Sequence, residues 1–188
     1  MRENASLHNS SSSEPPTKGL VQIFTGNGKG KTSAALGTVI RALGHGLRAY
    51  IVHFMKSDYS HSERRILAEL PNVTAVSFGK KGFTDPANIK PEEKEQARLA
   101  LAAAREAVLS GNYDLVVLDE VNIAVAWQLV GLDDVVKLIK DKPHNVELIL
   151  TGRQADARLV ELADLVTEMV KVKHPYDKGI RARKGFDY

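Results

Sequence analysis

The chain has 188 residues, 43% apolar and 26% charged, with a formal net charge of +3. At roughly 150 residues per domain that is one domain, long enough to bury a core without covalent staples. It contains no cysteine, which excludes a disulfide framework, a thiolate zinc site and a cysteine nucleophile.

Residues 1–19 hold five Ser, two Pro and only three apolar side chains. Such a stretch cannot bury enough surface to offset its ordering entropy, so a flexible arm is expected, followed by a single domain over residues 20–188. The arm lacks the apolar segment of a secretory signal, and no run in the chain nears the ~20 apolar residues that span a bilayer. A cytoplasmic protein with no membrane contact is the expectation.

A short apolar strand is predicted over residues 20–24, leading into the glycine-rich stretch 25–30. Residues 31–43 have helical spacing, with Gly44 as the expected C-cap. Strands follow at 49–54 and 73–78, with a helix between them at 62–70 that Pro71 stops. Residues 80–88 read as a loop containing Gly82 and Pro86. The clearest helix is 91–109: Pro at its start, three Glu in its first turns, an Ala/Leu body, and Ser110-Gly111 at its end. An apolar strand at 115–118 ends in Asp119-Glu120. A helix at 132–139, a strand at 146–150, a helix at 155–162 and a last strand at 165–170 complete the order. Strands separated by helices, several of them apolar throughout, predict an α/β fold: a mostly parallel sheet with helices on both faces. Ligands should bind beyond the carboxyl ends of its strands.

The strongest chemical signal is TGNGKGKTS, Thr25 to Ser33, after a strand and opening a helix. Thr25, Gly26, Asn27, Gly28, Lys29, Gly30, Lys31, Thr32 and Ser33 are therefore the expected nucleotide-binding residues. Glycines let backbone N–H groups converge on phosphate oxygens, and the helix N-terminus adds positive potential. Lys31 would reach the terminal phosphates, and the Thr32 hydroxyl would ligate Mg²⁺. Thr25 stands where the usual P-loop pattern has its first glycine. A dinucleotide fingerprint fails, because Lys31 occupies the place of its third glycine.

Asp119 and Glu120 end a buried strand, as the metal-binding acids of P-loop enzymes do. The competing reading is an N-cap and acidic first turn of a helix over residues 121–128. With the phosphate loop present, both are expected to serve the metal, with Lys31 and Glu120 as the catalytic pair. Arg41 and Arg153 are nucleotide contacts or plain surface arginines. Phe83, in a glycine-flanked loop, either folds onto the core or covers a flat ligand. Trp127 reads as core. The six His show no zinc-ligand spacing. Residues 171–188 carry a net +4 and the rest of the chain −1; this basic tail is either solvated or touches a phosphorylated partner. Only Tyr176, Phe186 and Tyr188 interleave it, a thin platform for stacking bases, so no nucleic acid is expected.

Four segments go beyond a generic nucleotide site: FTGNGKGKTSAALGTVIRALGHG (24–46), YDLVVLDEVN (113–122), LILTGR (148–153) and VKHPYDKGIRARKGFDY (172–188). Together they resemble the ATP:corrinoid adenosyltransferases of the cobalamin-salvage type, in collinear order over about residues 20–188. The resemblance implies a RecA-like P-loop NTPase fold and a homodimer. It implies transfer of the 5′-deoxyadenosyl group of ATP to Co(I) of a reduced corrinoid, with release of triphosphate and a flavoprotein as reductant. It assigns residues 25–32 to the triphosphate, Glu120 and Asp119 to Mg²⁺, Arg41 and Arg153 to the nucleotide, and Phe83 to the corrinoid. One departure stands out: the family reads G-F-T-W where this chain has Gly82-Phe83-Thr84-Asp85. Asp85 therefore occupies a corrinoid-facing position without the apolar surface of a tryptophan. The rival readings are a P-loop kinase or ATPase acting at the γ-phosphate, and a nucleotide-dependent carrier without turnover.

Overall fold

Alternation of strands and helices along the chain produces a six-stranded sheet in the order β3-β2-β4-β5-β1-β6. The computed structural model describes residues 18–56, 63–80, 82 and 84–186. In chain order the elements are β1 (Val21–Thr25), α1 (Lys31–Gly44), β2 (Ala49–Phe54), α2 (Glu63–Leu67), β3 (Val73–Phe78), α3 (Pro91–Leu109) and β4 (Leu115–Asp119). Then come α4 (Val121–Ala126), α5 (Leu132–Asp141), β5 (Glu147–Thr151), α6 (Ala157–Leu162), β6 (Leu165–Glu168) and a 3₁₀ turn at Pro175–Lys178. Every strand pairing is parallel.

Side chains alternate across a strand, so each central strand feeds two cores. Ile23, Val52, Val116, Leu118, Leu148 and Leu150 point to one face, where they meet Ala97, Ala100 and Ala104 of α3, Val135 and Leu138 of α5 and Leu159 of α6. Phe24, Ile51, Leu115, Val117 and Ile149 point to the other, against Ala35 and Val39 of α1 and Leu67 of α2. Apolar residues on both sides of β4 explain its unbroken LVVL run. The alanine ridge of α3 lets that helix lie close to the sheet.

Several predicted boundaries move. Gly44 is the last residue of α1 and not its cap. The chain leaves the helix at His45 and Gly46, whose N–H groups donate to Ala42 and Leu43 carbonyls, with Gly46 at φ 74°. The helix predicted at 62–70 is five residues, Glu63–Leu67, followed by i→i+3 bonds from Glu69 and Leu70 that tighten the chain before Pro71. The last strand ends at Glu168, because the Met169 carbonyl turns aside to accept from Gly28 N. Gly19, assigned to the arm, is already part of the domain: its N–H donates to the His144 carbonyl and its carbonyl accepts from Lys142 Nζ. Residues 1–17 lie outside the described residues.

The carboxyl ends of β1, β2, β4 and β5 come to one rim. His53 pairs across to Asp119 in the β2–β4 register, and Phe24 to Thr151 in the β1–β5 register. One strand, β5, separates the strand that carries the phosphate loop from the strand that carries the acids.

Candidate active site

The loop after β1 is shaped by its glycines. Gly26 (φ 96°) and Gly30 (φ 113°) are left-handed, and a Cβ on Gly28 would stand 2.7 Å from the Met169 carbonyl oxygen. Only glycine fits there without moving backbone. The loop delivers the chain into α1 with no side-chain cap on that helix, so the first N–H groups of a 14-residue helix face the rim unobstructed. Lys31 is 7% exposed and curls over the loop, its Nζ donating to the carbonyls of Gly26 (2.9 Å) and Gly28 (2.7 Å). Burial lowers its pKa and Arg153 adds to that, against the pull of Glu120 and Asp119. An anion entering the loop would restore a full counter-charge to this lysine.

Thr32 is the hinge between the two expected motifs. Its hydroxyl donates to Asp119 Oδ1 at 2.8 Å, which joins the phosphate loop to the end of β4 across the intervening strand. Thr151, at the end of that strand, donates to the same oxygen at 2.7 Å. The other oxygen, Oδ2, receives His53 Nδ1 at 2.9 Å and Lys56 Nζ at 2.6 Å. Asp119 is 1% exposed. Burial works against its charge, but Lys56 and His53 outweigh that and hold the carboxyl well below the usual carboxylate range. Glu120 is the opposite case: burial, and then the neighbouring Asp119 charge, raise its pKa. Glu120 also sits at φ 67°, left-handed for a residue with a side chain, and its carboxylate does not cap α4. Its N–H is taken by Thr151 Oγ1 at 2.9 Å. The helix of the competing reading therefore forms, with Glu120 at its N-cap position, but without the side-chain cap bond.

The donors present are hard oxygens, a hydroxyl and carboxylates, which suit Mg²⁺. Among the described residues no group of three or more His, Asp and Glu forms a cage for a metal ion. A Mg²⁺ carried by phosphates needs only one or two protein oxygens; the Thr32 hydroxyl and the nearby Glu120 carboxylate are of that kind, while both Asp119 oxygens already accept from protein donors.

The other predicted residues divide. Arg153 reaches the loop, with Nη1 donating to Asn27 Oδ1 at 3.5 Å. Thr25 Oγ1 accepts from Ala155 N, tying β1 to the turn after β5. Ser33 is exposed in the first turn of α1. Lys29 donates to the Phe186 carbonyl at 3.4 Å, and the Arg183 guanidinium lies 5.3 Å from the Phe186 ring centroid, so the basic tail returns to the phosphate loop. Arg41 is not brought to the loop: it lies in the last turn of α1, exposed, about 15 Å along the axis from Lys31. Asp85 Oδ1 accepts from Ala87 N at 2.9 Å, closing a local turn at Pro86. Phe83 lies outside the described residues. Trp127 packs against the core, as expected.

Three residues of the site escaped the sequence reading. His53 is an apparently stray histidine inside a strand, and the signal was its place in the last two residues of β2, at the rim. Lys56 follows that strand by two residues. Thr151 ends β5. A polar residue at the carboxyl end of a buried parallel strand is the clue common to all three.

Residues 17–188 match the family model described as ATP:corrinoid adenosyltransferase BtuR/CobO/CobP. The chain is 36% identical over 171 residues to a corrinoid adenosyltransferase of Escherichia coli strain K12, covering 91% of this chain and 86% of the relative. It is 35% identical over 173 residues to one from a Sinorhizobium species, covering 91% and 81%. A third, from Pseudomonas aeruginosa, is 36% identical over 171 residues, covering 91% and 84%. Matched by that family model over residues 17–188 and about a third identical to these proteins over more than four fifths of their length, the chain belongs to the ATP:corrinoid adenosyltransferase family.

Proposed function

We propose that the chain transfers the 5′-deoxyadenosyl group of ATP to Co(I) of a corrinoid and releases triphosphate, in the biosynthesis or salvage of adenosylcobalamin. The observation that carries the reading is the 2.8 Å bond from Thr32 to Asp119, which joins a glycine-rich anion loop to a charged carboxylate at one rim. Co(I) is a nucleophile that attacks carbon and brings no proton. Its electron pair forms the cobalt–carbon bond to C5′, the C5′–oxygen bond breaks, and that pair leaves on the triphosphate. No general base is required.

The protein's task is to align C5′, exclude water and stabilise the charge that builds on the leaving group. Lys31, the loop N–H groups and the N-terminus of α1 face that charge. Arg153 stands at the same loop, near Asn27. Mg²⁺, when bound, neutralises phosphate charge; Thr32, Asp119 and Glu120 are the residues that would hold it. Glu120 serves the metal here, where an ATPase would use such an acid on water. The strand β5 between β1 and β4 supports a RecA-like P-loop assignment. Phe83 and the loop that carries Asp85 are assigned to the corrinoid, and Arg41 to the nucleotide. A homodimer, a cytoplasmic location and a flavoprotein source of electrons complete the proposal.

The test is product analysis. With MgATP and a Co(I) corrinoid under anaerobic conditions, the protein should yield a light-sensitive alkyl-corrinoid by visible spectrum and intact triphosphate by ³¹P NMR. ADP and phosphate in stoichiometric yield, with no alkyl-corrinoid, would move the assignment to a kinase or ATPase.

A further inference from the structure

Asp119 is saturated. A carboxylate offers about four lone-pair sites, and four protein donors fill them: Thr32 and Thr151 on Oδ1, His53 and Lys56 on Oδ2. A divalent cation, or a water bound to one, finds no vacant site unless a donor withdraws. The four donors are not equivalent. His53 and Thr151 are fully buried and built into strands. Thr32 belongs to α1 and is the expected partner of the same cation. Lys56 comes from the turn after β2 and keeps 16% of its side chain exposed. It is also a cation, so its departure and the arrival of a divalent ion leave the carboxylate with a cationic partner.

The aim of Lys56 is built into the backbone. Met55 sits at φ 56°, a left-handed conformation that disfavours methionine and bends the chain at the end of β2. Lys56 N then donates to the Phe78 carbonyl at 3.2 Å. Gly79 lies flush against this turn: a Cβ there would stand 2.6 Å from Lys56 N and 2.7 Å from the Met55 carbonyl carbon.

We propose that Lys56 is an exchangeable counter-ion of Asp119, which holds the carboxylate in place in the ligand-free chain and yields Oδ2 when a divalent cation arrives. The inference rests on the proposed metal role of Asp119. Lys56 is thereby a positioning residue for Thr32 and Asp119, and a competitor of the metal.

The experiment is a Mn²⁺ titration followed by the EPR signal of free Mn²⁺, with protein in excess over ATP so that all the nucleotide is bound and with no corrinoid, on wild type, Lys56→Met and Lys56→Arg. Removing a like charge a few ångströms from the ion should tighten Mn²⁺ binding by about tenfold or more in Lys56→Met. Lys56→Arg, which keeps the charge, should bind no tighter than wild type. Equal or weaker Mn²⁺ binding by Lys56→Met would overturn the exchange. Should that variant fail to fold, the wild type carries the test: after ¹³C reductive methylation, the Lys56 signal should shift on adding Mg²⁺ and inorganic triphosphate, and an unmoved signal refutes release. No Mn²⁺ uptake by wild type or Lys56→Met, with ATP still bound, would refute the metal reading of Asp119 itself. Uptake by both with equal affinity would refute the exchange alone.

Discussion

Replacing Asp119 by Asn keeps the shape of the side chain and removes its charge. The amide has one acceptor oxygen, and its NH₂ group meets donors. Two of the four bonds to Thr32, Thr151, His53 and Lys56 therefore lose their acceptor. Lys56, 16% exposed at its side chain, is left without its carboxylate. Breaking one partner of a buried pair costs about 3–5 kcal/mol. At about 2–4 °C per kcal/mol for a chain of this size, Tm should fall by about 6–20 °C. The double variant Asp119→Asn with Lys56→Met removes both charges and should recover at least half of the loss. Adenosylation should remain abolished in both variants, since the carboxylate is gone. The assay is thermal unfolding by circular dichroism beside corrinoid turnover. A single variant within about 2 °C of wild type would mean that Asp119 and Lys56 are not a desolvated pair. A double variant no better than the single one would mean that the loss comes from the hydroxyl bonds and not from the charge.

Lys31→Ala and Thr32→Ala should each lower adenosylation by about 10²-fold or more, as for loss of a transition-state donor, with cooperative unfolding retained; wild-type rates in either would refute the phosphate-loop assignment. Asp85→Trp gives up one turn bond to Ala87 N and offers apolar surface worth roughly 2 kcal/mol if it is covered. Its effect should fall on KM for the corrinoid and spare KM for ATP, and unchanged kinetics with every corrinoid tested would show that this loop does not face the substrate. Glu93 forms an ion pair with Lys80 Nζ at 2.8 Å and accepts from Lys90 N at 2.8 Å, and these contacts, Lys80 first, depress its pKa to about 2. A depressed acid stabilises the fold above its unfolded pKa and loses that contribution as pH falls toward the folded value. The Tm difference between wild type and Glu93→Gln should hold at neutral pH and shrink as pH drops from about 4.5 toward 2; a constant difference would refute the contacts.

How far the sequence reaches depends on the range of the interaction in question. Burial on both faces writes an unbroken apolar run into β4, and the helix signals of Pro91 and Ser110-Gly111 mark α3, so fold class and most element bounds follow from local pattern. The glycine loop is equally local: positive φ at Gly26 and Gly30 requires the residue type that stands there. Where a bound depends on a distant partner, local pattern fails. The strand predicted to run to residue 170 stops at Glu168 because Met169 is claimed by Gly28. The rise of α1 sets Arg41 about 15 Å along the axis from Lys31, a separation that the one-dimensional pattern does not display.

The place of the acids at a strand end was legible, and their partners were not. Asp119 next to an apolar run signals a strand-end carboxylate from sequence alone. That His53, Lys56 and Thr151 converge on it follows from parallel register: β2, β4 and β5 place the residues at their carboxyl ends side by side, though these lie 63 to 66 and 32 positions apart from Asp119 in the chain. Sequence alone thus determined the glycine loop and the strand-end acids, because residue type and local backbone demand set them. Only the tertiary structure decided which charges face each other and at what burial, because sheet order and register are set by the packing of the whole domain.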